Sequence, residues 1–360
     1  MLDSNTKESQ RLFRRGFDLG TIGATPSNQT CSDFSNNWNA GKPVFLKQQC
    51  LQALREHQEH FSQSKQLYQA VLDEQDCSSL LDEHPYIERL KENFESLGSC
   101  INEGDSQEIE TVLFDAIKKE QIIAEDLWMK ASWLSFHEED ASLRFRFSFG
   151  IDLHEDVAAD EERQYYASLL SDAIFPESTL ITKNNSLIDK ITSLLKCNDI
   201  RFVERIIYFN SPQGGAYLHH DRERGHAGVV YAQLSGNTFW LALTRSALVE
   251  EIITFVSQCQ NGAWPETITK TMQTELKSLT TQPNKLIAEL ESFSNSTLIH
   301  LINETACFVQ QLITQGYSKT LKPGDILLLP QETEEYCCWH SVFNLGETSG
   351  EALSFAIRRS

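Results

Sequence analysis

GVVYAQLSGNTFWLALT, residues 228–244, holds two short apolar runs rich in Val, Tyr, Phe, Trp and Leu, parted by Ser-Gly-Asn. Such runs fit buried strands, and Ser-Gly-Asn is a turn signal. The same grammar recurs on both sides. RFVERIIYFN (201–210), KTL (319–321), DILLLP (325–330), CCWHSVFN (337–344) and ALSFAIR (352–358) are short and strand-like, and KPGD (322–325) marks a second turn. Many short strands with Gly- and Pro-marked turns predict a sandwich or barrel rather than a parallel α/β sheet.

Further out the character changes. Between Arg245 and Tyr317 helix formers return, which predicts a helical insertion at about 246–316. LRFRFSFGIDL alternates apolar and polar residues from Leu143, the period of a half-buried strand, while YYASLLSDAIF (165–175) and SLIDKITSLL (186–195) read as short helices. Residues 43–130 read as helical throughout, including HPYIERLKENFESL and QEIETVLFDAIKKEQIIAEDLWMKASWLSF, and the Ser/Asn-rich stretch 27–37 reads as a loop. The expected class is α+β: a helical N-terminal region, 1–140, and a β domain, 141–360, that carries the insertion. No internal repeat is present.

Composition narrows the function classes. A chain of 360 residues, 40% of them hydrophobic, can bury a core. No apolar run approaches the ~18 residues of a membrane helix, and the first residues lack a secretory apolar segment, so a cytoplasmic protein without a membrane partner is expected. Nine cysteines are scattered and odd in number, which suits reduced thiols. The net charge of −20 repels phosphate-rich partners, so nucleic acid is not expected, and a neutral or cationic small-molecule or protein substrate fits better.

YLHHDRERGH, residues 217–226, carries the chemistry. On an extended segment residues two apart share a face, so His219 and Asp221 can reach one cation. A second imidazole would complete a two-histidine, one-carboxylate triad, which leaves coordination positions of Fe(II) open. His340 is the candidate, because it follows the KPGD turn and an apolar strand and is flanked by apolar and aromatic residues. His220 would point to the opposite face, His226 would lie in the loop or near substrate, and His300 would be structural or exposed. An isolated H-x-D pair arises often by chance; the distal histidine in the right setting is what gives it weight.

With those pieces in order, HHDRERGHAGVVYAQLSGNTFWLAL, LKPGDILLLPQ and WHSVFN together resemble the jumonji-C and cupin-like branch of the Fe(II)/2-oxoglutarate-dependent oxygenases, over roughly residues 200–358 less the insertion. The matching residues are His219 and Asp221, Gln233 with Gly236, Pro323, Gly324 and Asp325, and His340. The resemblance implies a double-stranded β-helix (jelly-roll or cupin) barrel, Fe(II) held by His219, Asp221 and His340, and 2-oxoglutarate as co-substrate. It also implies hydroxylation of an aliphatic C–H bond in an amino acid, a peptide or protein side chain or a small metabolite, with release of succinate and CO2.

Two departures stand out. Thr238 occupies the position where the branch commonly places a lysine for the distal carboxylate of 2-oxoglutarate. Arg358, with Ser354 on the same strand face, is the expected replacement, the long spacing from His340 being taken up by a hairpin at LGETSGE. Tyr208, Asn210 and Thr238 are expected to add hydrogen bonds to the co-substrate. Trp240 and Trp339 read as packing, and Cys337 and Cys338 as buried thiols. Retention of Asp221 disfavours halogenation. The helical N-terminal region and the insertion are expected to carry substrate selection or homodimer contacts. Two alternatives remain: a cupin-type metalloenzyme that does not use 2-oxoglutarate, and a non-catalytic binding protein on the same barrel.

Overall fold

The computed structural model describes residues 10–22, 31–102, 104–135, 140–150, 160–222 and 225–359. The first strands, β1 (Gln10–Arg14) and β2 (Phe17–Ile22), make a separate hairpin. β3 (Val44–Leu46) is followed by four helices between Leu51 and Leu90, then by β4 (Phe94–Cys100), β5 (Glu108–Lys118), β6 (Gln121–Trp133) and β7 (Leu143–Phe149). After helices at Glu161–Ile174 and Asn185–Leu195 come β8 (Ile200–Asn210), β9 (Gly215–His219), β10 (His226–Gln233) and β11 (Thr238–Thr244). Five helices between Arg245 and Thr314 precede β12 (Ser318–Leu321), β13 (Ile326–Pro330), β14 (Cys338–Asn344) and β15 (Gly350–Arg359).

A nine-stranded antiparallel sheet runs β3-β13-β10-β15-β8-β7-β6-β5-β4, and a four-stranded one runs β12-β11-β14-β9. Every connection from β8 to β15 changes sheet except that from β11 to β12, which carries the five helices. The turns at SGN and KPGD are therefore crossings between sheets. LGETSGE, expected to be a hairpin, is also a crossing: β14 and β15 lie in different sheets.

The layers explain why the strands read as unbroken apolar runs. On β11, Phe239, Leu241 and Leu243 pack outward onto the inserted helices, while Trp240 and Ala242 pack inward with Val229, Tyr231, Leu327 and Leu329 from the larger sheet. On β15, Leu353, Phe355 and Ile357 face the other helical layer, where Phe145 meets Phe175 and Tyr68 stacks on Phe209 at 4.7 Å. A strand buried on both faces loses the in-out alternation of a solvated one.

Residues 94–133, expected to be helical, are strands. Val112, Phe114 and Ala116 on β5 and Leu127, Met129 and Ala131 on β6 are fully buried at a spacing of two. That period is present in the sequence, but Glu, Lys, Ala and Met at the other positions favour helix. The hairpin turn hides as well, because Lys119 and Glu120 take positive φ where Asn-Gly would announce it. Of the stretch expected as a loop at 27–37, residues from Cys31 belong to a helix, Cys31–Asn39, and 27–30 lie outside the described residues. The end of LRFRFSFGIDL, residues 151–153, lies outside them too. No disulfide joins the described cysteines, and no described helix is long and apolar enough to cross a membrane.

Two carboxyl groups are enclosed where the helical layer meets β15. Glu177 and Glu351 are both fully buried, with Ser64, Tyr86 and Arg89 nearby. Burial raises the Glu177 pKa from 4.5 to about 7, and burial together with the Glu177 charge raises that of Glu351 well above its ordinary value. Between the ordinary and the raised values the folded chain binds more protons than the unfolded one. Stability from the protonated pair is therefore present at low pH and lost as the pH rises through that window. For Glu177 alone the shift corresponds to roughly 3 kcal/mol. The urea midpoint should fall between pH 5 and pH 8, and Glu351→Gln should flatten that fall and raise the midpoint at pH 8; an unchanged pH dependence would contradict the assignment.

Candidate metal centre and its cavity

The site forms where β9 and β14 pair at one end of the smaller sheet. His219 lies directly opposite His340, with a bulge immediately beyond that gives β9 one extra residue. A bulge re-aims side chains locally, and the two imidazole centroids are 4.4 Å apart. The pairing requires Gly215: its φ is +146°, and a Cβ there would overlap the Val342 carbonyl oxygen.

Asp221 lies just past the end of β9 and returns to the same point. Its Oδ1 is 3.2 Å from His219 Nε2 and its Oδ2 is 3.2 Å from His340 Nε2. One ligand atom from each residue falls within a 4.8 Å group. Adjacent donors around an octahedral cation bound at about 2.1 Å stand about 3 Å apart, so these spacings suit a small divalent ion.

Protonation is arranged for the same purpose. His219 Nδ1 is 2.6 Å from the Tyr217 carbonyl and His340 Nδ1 is 3.2 Å from that of Cys338. A carbonyl only accepts, so each Nδ1 carries the hydrogen and each Nε2 presents its lone pair to the centre. Burial acts to raise the Asp221 pKa, but the two imidazoles outweigh it and hold the carboxyl well below its ordinary value. Burial acts to lower His219, and the charge and hydrogen bond of Asp221 reverse this. Before any cation arrives, Asp221 thus favours a proton on the His219 Nε2, which a cation must displace to reach the lone pair. His340 is enclosed, while His219 and Asp221 keep about a third of their side-chain surface open, so access is from their side.

A second ring of contacts holds the centre. Trp240 stacks on His340 with centroids 5.5 Å apart, and Trp240 Nε1 donates to Thr238 Oγ1 at 2.9 Å, whose hydroxyl donates to Gln233 at 2.6 Å. Asp140, buried, accepts from Ser211 at 2.8 Å and from the Ser142 amide at 3.0 Å, and pairs with Arg15 at 2.7 Å. Arg15 also donates to the Gly215 carbonyl, so the first hairpin braces the start of β9.

A cavity of about 630 Å³ opens over the triad, lined by His219, Asp221, Tyr208, Ser354, His226 and others. A pocket of about 30 Å³ continues inward beside His340, Tyr208, Asn210, Tyr231, Trp240 and Ser354. Of the residues expected to serve the co-substrate, Tyr208, Asn210 and Ser354 border these spaces. Thr238 is fully buried and engaged with Gln233 and Trp240.

Arg358 does not join the site. It pairs in register with His226, and its guanidinium is 3.5 Å from the His226 ring, beside a separate pocket with Glu204 and Arg205. It lies four positions along the strand from Ser354, about 13 Å at ~3.3 Å per residue.

His220 points away, as expected, to Glu291 at 2.8 Å and the face of Trp339. His226 is buried at the start of β10 on the cavity wall, and His300 bonds Glu304 within an inserted helix. Trp339 packs on Phe293, and the Cys337 thiol is raised by burial to about 11. Sequence reading missed Arg144 and Arg146 of β7, which line the cavity. The signal was present in LRFRFSF: if the phenylalanines face one core, the arginines face whatever lies behind the sheet.

No protein-family model matches this chain, and no curated protein matches it. Among solved structures it is similar to E. coli ycfD, with 12% identity and a TM-score of 0.28 over 93% of this chain and 54% of that one. It is also similar to an oxidoreductase of the 2OG-Fe(II) oxygenase family from Burkholderia pseudomallei, with 9% identity and a TM-score of 0.31 over 93% of each chain. The chain spans about half the length of the first and nearly all of the second. TM-scores this low do not establish a shared fold.

His219→Ala, Asp221→Ala and His340→Ala should each weaken Zn(II) or Mn(II) binding by more than the roughly 10–100-fold that loss of an outer partner costs. His300→Ala should leave it unchanged. Calorimetric titration of the metal measures both, and equal affinities across the set would remove the triad from consideration.

Proposed function

We propose that this chain is a non-haem Fe(II) oxygenase that uses 2-oxoglutarate and hydroxylates an aliphatic C–H bond of an amino acid, a peptide or protein side chain or a small metabolite. The carrying observation is the His219–Asp221–His340 group, with both Nε2 lone pairs and the carboxylate converging beneath an open cavity. The strand order supports a double-stranded β-helix: β13-β10-β15-β8 faces β12-β11-β14-β9, and the chain alternates between them.

Fe(II) in this group supplies, with 2-oxoglutarate and O2, the oxidising capacity for C–H hydroxylation, with release of succinate and CO2. The protein's share is positioning. The Tyr217 and Cys338 carbonyls hold both imidazoles in the tautomer that leaves Nε2 free. Trp240, stacked on His340, fixes the plane of that ring, and Asp221, at the open side, would neutralise part of the cation's charge. A cavity of about 630 Å³ suits an amino acid or a single inserted side chain.

One observation favours a second reading, a cupin-type metalloenzyme that does not use 2-oxoglutarate. Arg358 lies outside the cavity, and the pocket beside His340 measures only about 30 Å³. Anaerobic addition of Fe(II) and then 2-oxoglutarate separates the readings through the weak visible charge-transfer band of a chelated 2-oxoacid. The expected result is a band that disappears in His219→Ala. Iron binding without a band selects the second reading, and absence of iron binding leaves a non-catalytic barrel.

A further inference from the structure

The register of β9 against β14 skips at the candidate site. His219 faces His340 and Ala216 faces Val342, so Tyr217 and Leu218 together oppose the single residue Ser341. A bulged pair loses part of the ladder that fixes ordinary strand backbone. The His219 imidazole nevertheless takes its orientation from this stretch, because the Tyr217 carbonyl accepts from its Nδ1 at 2.6 Å. Whatever fixes the bulge therefore also fixes the ring.

Ties from two other parts of the chain meet there. Asn303, buried on the inserted helix Ser296–Glu304, accepts through one oxygen from the Leu218 amide at 2.8 Å and from Arg14 Nη1 at 3.3 Å. Its Nδ2 donates to the Ile299 carbonyl at 3.1 Å, which orients the amide. Arg14, on the first hairpin, holds its guanidinium 4.2 Å from the centre of the Tyr217 ring and 5.5 Å from that of Phe343. Its Nε and Nη2 are enclosed without a hydrogen-bond partner. Burying a guanidinium with two groups unpaired is costly, so the ring faces and Asn303 are what offset its burial. Glu304 accepts from the Tyr217 hydroxyl at 2.7 Å, and Arg15 places a second guanidinium 4.8 Å from the same ring.

We propose that Arg14 and Asn303 are positioning residues of the metal centre: together they lock the Tyr217–Leu218 bulge and so hold the His219 imidazole with Nε2 toward Asp221 and His340. This rests on the metal-centred reading above. Neither residue is a ligand, and each acts through the main chain of β9. Arg14 belongs to β1 and Asn303 to the insertion, so metal affinity is set in part by segments outside the eight strands β8 to β15.

Metal-free full-length protein is titrated calorimetrically with Zn(II), and the visible bands of bound Co(II) report the ligand geometry. Arg14→Met and Asn303→Leu should each weaken Zn(II) about 10- to 100-fold, the range for loss of an outer partner, and should alter the Co(II) bands. Asn303→Asp keeps an acceptor oxygen for both donors and should recover most of the affinity. Arg11→Met, which removes an exposed ion pair with Asp18 on the same hairpin, should match the wild type. Should Arg14→Met not fold, Arg14→Lys, which keeps the charge without the planar fork, should show a smaller loss of the same kind. Wild-type affinity and unchanged Co(II) bands in the folded Arg14 and Asn303 variants overturn the proposal. A loss in Asn303→Leu that Asn303→Asp leaves unrestored, in step with a lowered thermal midpoint of the metal-free protein, overturns it too. Failure of the wild type to bind Zn(II) overturns instead the reading on which it rests.

Discussion

The antiparallel pairing of β9 with β14 is the contact on which the candidate site depends. It sets His219 opposite His340, and the bulge beside that pair turns both rings toward the position that Asp221 reaches from beyond the strand end. The pairing in turn needs close backbone approach at Gly215, and the start of β9 is braced by Asp140, Ser211 and Arg15. Three ligands from distant parts of the chain are thereby placed by main-chain geometry, and flexible side chains contribute little to the placement.

Burial on both faces supports that pairing. The smaller sheet lies between the inserted helices and the sandwich interior, and the larger sheet between that interior and the first helical layer. Within the interior, apolar side chains fill the end near Leu327 and Leu329, and polar and charged ones gather where the cavity opens. A cation site set among Trp240, Val342 and Leu329 feels little water competition on its inner side, while the Asp221 side stays open to ligands.

The inserted helices and the first hairpin contribute to the same region. Glu291 of the insertion holds His220 away from the triad, and Asn303 accepts from the Leu218 amide, fixing the strand between the two. Arg14 lies against Tyr217 and Phe343 with almost no exposure. Segments far apart in the chain thus clamp β9, and Arg15 of the first hairpin and Phe293 of the insertion also reach the cavity wall.

Local pattern in the sequence was enough for seven of the eight strands from β8 to β15, the helical insertion between Arg245 and Tyr317, and the pairing of His219 with Asp221, because short apolar runs, turn residues and an H-x-D spacing are all encoded within a few neighbours, whereas β9 was read only as an extended segment and His340 was reached through the order of motifs along the chain. The same local reading took β4, β5 and β6 for helix, since Glu, Lys, Ala and Met outweigh a two-residue apolar period until a partner strand is present to bury it. Partners and directions were decided by tertiary structure. Arg358 was displaced by strand register, which pairs it with His226 at the far end of β15, and Arg144 was brought in by the pairing of β7 with β8. Register between strands is a long-range property, and no spacing along the chain specifies which residues will face one another across it.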